Sequence, residues 1–183
     1  DFFPQNAVSY FVSYYDYYQP EAYIPATDTY IEKESQINEV IDKLRLQSTT
    51  NILTRNDAIV VASVSCIYNI GSPIEYGKFV AELTVGEEAS TNELSMRLVH
   101  LHYDRSEFEF KRGTFRIRGG RIDIYPAYED YGYRVELGAE KVAKITRFEP
   151  VSGSVIESDL KKIIIYPAKH FMADPKTFET AEG

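Results

Sequence analysis

Seven tyrosines fall between Tyr10 and Tyr30, and two prolines, Pro20 and Pro25, break up the stretch that holds them. That combination restricts the segment severely. Proline fixes φ and offers no backbone N–H, so extended arms here belong at a sheet edge or in a ribbon of their own. Tyr23 and Tyr30 flank Pro25-Ala-Thr-Asp28, residues with turn chemistry, so two arms are expected to fold back on each other. A two-stranded ribbon with no sheet behind it is only marginally stable. The expectation is therefore a finger, spanning about residues 12–36, that protrudes from a larger body. Tyrosine suits such a finger, because each ring offers a stacking face worth about 1–3 kcal/mol per nucleic-acid base while its hydroxyl tolerates water. An aromatic core cluster or a protein-binding patch fits the same composition.

Charge narrows the options. The chain carries 28 acids against 20 bases, a formal net charge of −8, which excludes a binder that works by bulk neutralisation of phosphates. Between Asp16 and Arg45 the acids Asp16, Glu21, Asp28, Glu32, Glu34, Glu39 and Asp42 face only Lys33, Lys43 and Arg45. Stacking, not phosphate attraction, would have to hold any nucleic acid there. The single cysteine, Cys66, rules out an intramolecular disulfide, in keeping with a reducing compartment. No stretch approaches the roughly 20 apolar residues that span a bilayer. The chain reads as cytoplasmic, with no membrane partner.

Two textures follow one another. In residues 1–77, Ile37, Val40, Ile41, Leu44, Ile52 and Leu53 are spaced largely as one helical face. Asp57 to Val64 then reads as a fully buried strand of a parallel sheet. One helix–strand pair is too little to close a sheet, so this part looks like a fragment of an α/β layer. Ser72-Pro73 offers an N-cap with proline at the first helical position, for a short helix through Tyr76. Residues 78–171 read as an α+β module. Phe79 to Val85 is a strand, and Ser90-Thr-Asn-Glu93 caps a helix carrying Leu94, Leu98, Val99 and Leu101. The runs Thr114–Arg118 and Arg121–Tyr125 alternate around Gly119-Gly120, a two-residue hairpin turn. Tyr133–Leu137, Lys141–Phe148, Val155-Ile156 and Lys162–Tyr166 complete an antiparallel sheet. Residues 172–183 are a polar tail.

Arg112, Thr114, Arg116 and Arg118 share one strand face, with Phe115 and Ile117 opposite. A solvated face and an interface are both open, since arginine's planar fork takes carboxylates two bonds at a time. Chemistry-bearing clusters are otherwise sparse. His100 and His102 point to different faces of a helix, and neither cysteine pairs nor carboxylate groups complete a metal site. Cys66 has no base beside it in sequence for thiolate chemistry. No G-x-x-x-x-G-K-[ST] phosphate loop or D-E-x-H segment occurs. No catalytic residue, cofactor or metal is expected.

Phe2-Phe-Pro, Tyr10-Phe-Val-Ser-Tyr-Tyr-Asp-Tyr-Tyr-Gln-Pro-Glu-Ala-Tyr23, Asp28-Thr-Tyr-Ile-Glu-Lys33, Val60-Val-Ala-Ser-Val-Ser-Cys-Ile-Tyr68, Gly71-Ser-Pro and Arg112-Gly-Thr-Phe-Arg-Ile-Arg-Gly119 together resemble the UvrB family of bacterial nucleotide-excision-repair proteins. The resemblance runs through nearly the whole chain. It implies part of a helicase-like (RecA-like) lobe with a protruding β-hairpin, followed by the module that docks on UvrA. It places Tyr14, Tyr15, Tyr17 and Tyr18 at the hairpin base and Tyr23 and Tyr30 on the hairpin, all contacting damaged double-stranded DNA. Glu21 and Lys33 match positions that clamp the hairpin to a neighbouring lobe, and Ser63-Val-Ser-Cys66 matches a helicase DNA-contact segment or, equally, a strand-to-helix turn. Arg105, Arg112, Arg116, Arg118, Arg134 and Glu136 match the UvrA-contacting surface. Lys111-Arg112 stands where the family carries Arg-Arg, and the loop from Tyr128 to Gly132 departs from the family pattern. UvrC, ATP and Mg²⁺ would belong to the whole protein, an ATP-dependent helicase-like excinuclease subunit, and not to this stretch. Rival readings are a docking module like that of the transcription-repair coupling factor, which lacks the tyrosine motif, and a pure protein-interaction module.

Overall fold

The computed structural model describes residues 3–13, 22–24, 29–31, 34–67, 77 and 79–169. The chain is mixed α/β and forms two compact units, Asp1–Ile70 and Gly71–Gly183. The expected helix through Tyr76 and the polar tail lie outside the described residues. Among those residues, no helix is long and apolar enough to cross a membrane.

In the first unit, β1 (Ala7–Phe11) and β4 (Ala58–Ala62) pair in parallel, in register from Ala7↔Ala58 to Phe11↔Ala62. Parallel partners need a long crossover, and α1 (Glu34–Thr54) lies within it. Two short strands, β2 (Ala22–Ile24) and β3 (Thr29–Ile31), also fall in this crossover and pair antiparallel with each other. Parallel pairing agrees with the branched apolar run, but full burial does not. Residues 58–60 are half-buried and Val61 is 49% exposed. Among the described residues only β1 hydrogen-bonds to β4, so one partner strand shields it where a buried parallel strand has two.

The buried side of α1 also departs from its hydrophobic spacing. Ile41 is buried, but so are Leu46, Ser48, Thr49 and Thr50, whereas Val40 and Ile52 are exposed. The reason is a polar seam. Ser48 Oγ donates to the Tyr10 carbonyl at 2.8 Å, and Asn51 Nδ2 donates to Ser9 Oγ at 2.8 Å. Helix and strand are joined by hydrogen bonds that a hydrophobicity pattern does not register. A 3-10 turn, Val64–Ile67, follows β4. Ser63 N donates to the Phe11 carbonyl, and Ser63 Oγ accepts from Ser13 N at 3.1 Å.

The second unit is built on a six-stranded sheet in the order β11-β10-β9-β8-β7-β6. Its strands are β6 (Asp104–Arg105), β7 (Thr114–Arg118), β8 (Arg121–Tyr125), β9 (Gly132–Gly138), β10 (Lys141–Phe148) and β11 (Val155–Glu157). All neighbours are antiparallel except β6 and β7, which run parallel. The strands expected at Phe79–Val85 and Lys162–Tyr166 do not join this sheet. They form β5 (Ala81–Thr84) and β12 (Lys162–Ile165), which pair with each other from opposite ends of the unit. Helix α2 (Thr91–His100) starts at Ser90, whose Oγ accepts from Glu93 N at 3.2 Å. Leu94 and Leu98 of α2, Leu83 of β5 and Ile163 and Ile165 of β12 bury one sheet face with Phe115, Ile122, Ile124, Val135 and Ile145. Val99 is exposed, because the buried stripe follows the i, i+4 pair Leu94 and Leu98.

One hairpin carries local strain. Ala139 and Glu140 link β9 to β10 with φ of 51° and 60°. A two-residue turn with both residues left-handed matches the strand twist but disfavours side chains that carry a Cβ. Glu140→Gly is expected to raise stability by about 1 kcal/mol. A higher urea midpoint at unchanged slope is the signature, and a midpoint equal to or below that of the parent would refute it.

Candidate functional site

The polar face of the six-stranded sheet is organised by one residue. Because the β7–β8 turn has two residues, Arg116 lies directly across from Asp123, and Asp123 lies across from Arg134 on β9, which pairs in turn with Thr146 on β10. Asp123 is buried, at 1% exposure. Its Oδ2 accepts from Arg116 Nε at 3.1 Å, and its Oδ1 accepts from Arg134 Nε at 2.9 Å. Arg121 Nε stands 3.5 Å from the same Oδ1. A carboxylate removed from water is tolerable only with such partners. Three guanidinium groups surround one carboxylate, so two positive charges are in surplus.

Aromatic rings cover the arginines. Arg116 lies 4.2 Å from the Phe110 ring centroid and Arg134 lies 4.5 Å from that of Phe148. Phe110 and Phe148 stack at 5.9 Å and 11°. Each guanidinium thus offers its edge to the carboxylate and its face to a ring. The Arg116 and Arg134 side chains keep only 18% and 17% exposure. Glycine at 132 permits this cover. A Cβ there would sit 2.8 Å from two atoms of the Phe148 ring, closer than packed atoms approach.

The remaining expected docking residues are placed as follows. Arg118 is exposed at the turn end of β7, and its register partner is Arg121. Glu136 is exposed, with Arg121 and Lys144 as register partners. Arg112 precedes β7, donates from Nε to the Glu129 carbonyl at 3.2 Å, pairs with Asp130, and lies 5.5 Å from the Tyr125 ring. Burial pushes the Tyr125 phenol above its ordinary range, against the opposing pull of Arg112. Arg105 differs. On β6 it takes the register of Phe115, the core side of the sheet, and pairs with Glu107 at 2.9 Å. Arg112, Arg116, Arg118, Arg134 and Glu136 are thus gathered around one face, and Arg105 stands on the other phase of the edge strand.

Asp123, Phe110 and Phe148 were not singled out from sequence. A signal for Asp123 existed, since the Gly119-Gly120 turn fixes the register and puts an acid opposite Arg116. Nothing comparable marks Phe110, which reaches the face from a loop.

In the tyrosine segment, Tyr23 on β2 and Tyr30 on β3 are direct register partners. Tyr14, Tyr15, Tyr17, Tyr18, Glu21 and Lys33 lie outside the described residues. The chain entering the segment is pinned. Arg45 Nη1 donates to the Val12 carbonyl at 3.0 Å, and its guanidinium sits 4.4 Å from the Phe11 ring. Cys66 is buried and donates to the Phe11 carbonyl at 3.3 Å. The Ser63–Cys66 stretch is a turn following a strand end, tied to β1 and its extension by Ser63 N to the Phe11 carbonyl and Ser13 N to Ser63 Oγ.

Residues 81–171 match the family described as UvrB interaction domain. Curated relatives named UvrABC system protein B match the chain along its length. That of Methanosphaera stadtmanae is 51% identical over 99% of the chain and 28% of its own length. That of Streptomyces coelicolor is 49% identical over 97% of the chain and 25% of its own length. That of Methanococcoides burtonii is 48% identical over all of the chain and 28% of its own length. The chain thus spans little more than a quarter of the relatives it matches.

Removing the shared carboxylate should be costly. Asp123→Ala leaves Arg116 and Arg134 facing each other without compensation, and a loss of about 3 kcal/mol is expected. Urea unfolding of the variant checks this, and a loss under about 1 kcal/mol would show that the carboxylate does not organise the face.

Proposed function

The chain belongs to the UvrB family, and on that premise we propose that it serves nucleotide excision repair in two ways, docking on UvrA through the β7–β9 arginine face and engaging damaged DNA with its tyrosine segment. The observation that carries the docking role is the Asp123-centred face itself, which lies within the residues matched to the interaction domain. Its arginines are fixed before any partner arrives, so less side-chain freedom is lost on binding. Arg118 opposite Arg121 breaks a local rule, since like charges directly across a ladder are destabilising. A partner's carboxylates would relieve that repulsion. Such departures from local consistency mark functional surfaces.

For DNA the support is the density of tyrosines in an acidic segment. Stacking is insensitive to base sequence and needs no excess of lysine. A lesion that lowers the cost of unstacking favours insertion of such a segment, which supplies a lesion-selective step. The first unit fits a piece of a helicase-like lobe. Its β1–α1–β4 layer leaves Val8, Tyr10 and Val61 between 46% and 54% exposed, a surface suited to further layers of such a lobe. ATP, Mg²⁺ and UvrC we assign to other parts of the whole protein, which we place in the cytoplasm. Identity of about half along the full chain to UvrB proteins favours this reading over the coupling-factor alternative.

Two experiments separate the roles. Arg118→Glu should weaken UvrA binding by at least about tenfold in a titration, and an unchanged affinity removes the docking claim. Arg116→Glu is unsuitable, because it sets a second acid against buried Asp123. Within the intact protein, Tyr23→Ala combined with Tyr30→Ala should lower affinity for lesion-containing DNA by about tenfold or more while UvrA affinity stays within twofold. Should DNA affinity survive and UvrA affinity fall, the segment is a protein-binding element instead.

A further inference from the structure

Phe108 stands wholly in water, at 103% of its reference exposure. A single exposed apolar residue is ordinary, but the loop that displays this one is held on both sides. Ser106 N donates to the Phe115 carbonyl at 2.9 Å, and Glu109 N donates to Ser106 Oγ at 3.2 Å. Two residues on, Phe110 packs against both Phe148 and Arg116. The flanking acids are matched within the loop's own surroundings, Glu107 with Arg105 at 2.9 Å and Glu109 with Lys111 at 3.5 Å.

Consecutive Cα atoms are 3.8 Å apart, so Phe108 lies within about 8 Å of Phe110 along the backbone. One side of a standard interface buries about 800 Å², a disc of roughly 16 Å radius. A partner of that size centred on Arg116 and Asp123 is wide enough to extend to Phe108.

We propose that Phe108 is the apolar anchor of the arginine face, inserting into a nonpolar socket on a partner protein that lays an acidic patch over Arg112, Arg118 and Arg121. The proposal rests on the docking reading above, which makes that partner UvrA. The loop chemistry selects a protein over a nucleic acid. With Glu107 paired to Arg105 and Glu109 to Lys111, the loop offers phosphates no uncompensated positive charge, whereas a nonpolar socket accepts the exposed ring. Aromatic anchors in desolvated pockets dominate interface energetics, and surrounding charges contribute mainly orientation and encounter rate.

The test titrates the full chain against purified UvrA for the parent, Phe108→Ala, Phe108→Leu and Arg118→Glu, at about 0.1 M and 0.5 M salt. Phe108→Ala should weaken binding at least about tenfold at both salt concentrations, since apolar contacts are not screened, while Phe108→Leu stays within about threefold of the parent. The loss from Arg118→Glu should shrink at the higher salt. If Phe108→Ala binds within twofold of the parent while Arg118→Glu is impaired, the anchor is wrong and the docking reading stands. A leucine variant as weak as the alanine one also overturns the apolar socket. If the parent does not bind UvrA, the docking reading falls and takes the anchor with it.

Discussion

A carboxylate sunk into a sheet face with no water to solvate it must find positive charge or not be there. In this chain Asp123 is in that position, and much of the second unit follows from satisfying it. Its two oxygens take one guanidinium from each neighbouring strand, which fixes the register of three strands more firmly than backbone ladders alone. The arginines so held need cover on their outer faces, and Phe110 and Phe148 supply it. Phe148 can lie flat there only because residue 132 has no side chain. One polar requirement thus propagates into a loop conformation, a ring stack and a glycine.

The same arrangement reconciles an acidic protein with a basic working surface. Net charge describes encounter and solubility, not any one face. Here the acids are spread while the positive surplus is concentrated where three arginines share one carboxylate. In the tyrosine segment the balance is opposite, with negative charge in excess and aromatic rings as the proposed contact chemistry. The two candidate surfaces call for different ligands on physical grounds. One invites carboxylates and the other invites flat, weakly charged rings.

Local features were readable from the sequence and distant pairings were not. The Gly119-Gly120 turn, the Ser90 cap and the runs Thr114–Arg118, Arg121–Tyr125 and Lys141–Phe148 depend on neighbours a few positions away, and they stand where the pattern put them. The pairing of β5 with β12 joins residues about 80 positions apart, and strand propensity says nothing about which partner a strand chooses. The parallel β6 is two residues long, too short to leave a period. On α1 the misreading has a different origin, because buried Ser48 looks like a surface residue until the Tyr10 carbonyl opposite it is known. The arginine row was recognised as a face, but its acid was not, since alternation shows which side a residue takes and not what lies over it.

Stability alone does not account for the arginine–aspartate row. A buried ion pair is commonly worth no more to the fold than apolar residues of the same volume, and its loss is costly chiefly because one charge is left behind. Apolar replacements would also fill the space beneath Phe110 and Phe148. What they would not supply is two planar forks held at set orientations. A surface lysine reaching for a carboxylate gives up rotamer freedom at the moment of contact, about 0.5–1.5 kcal/mol for each side chain immobilised. Arg116 and Arg134 have already given it up in folding. The cost is carried by the folded state, where the surrounding core absorbs it, and a partner meets a surface whose geometry is set in advance.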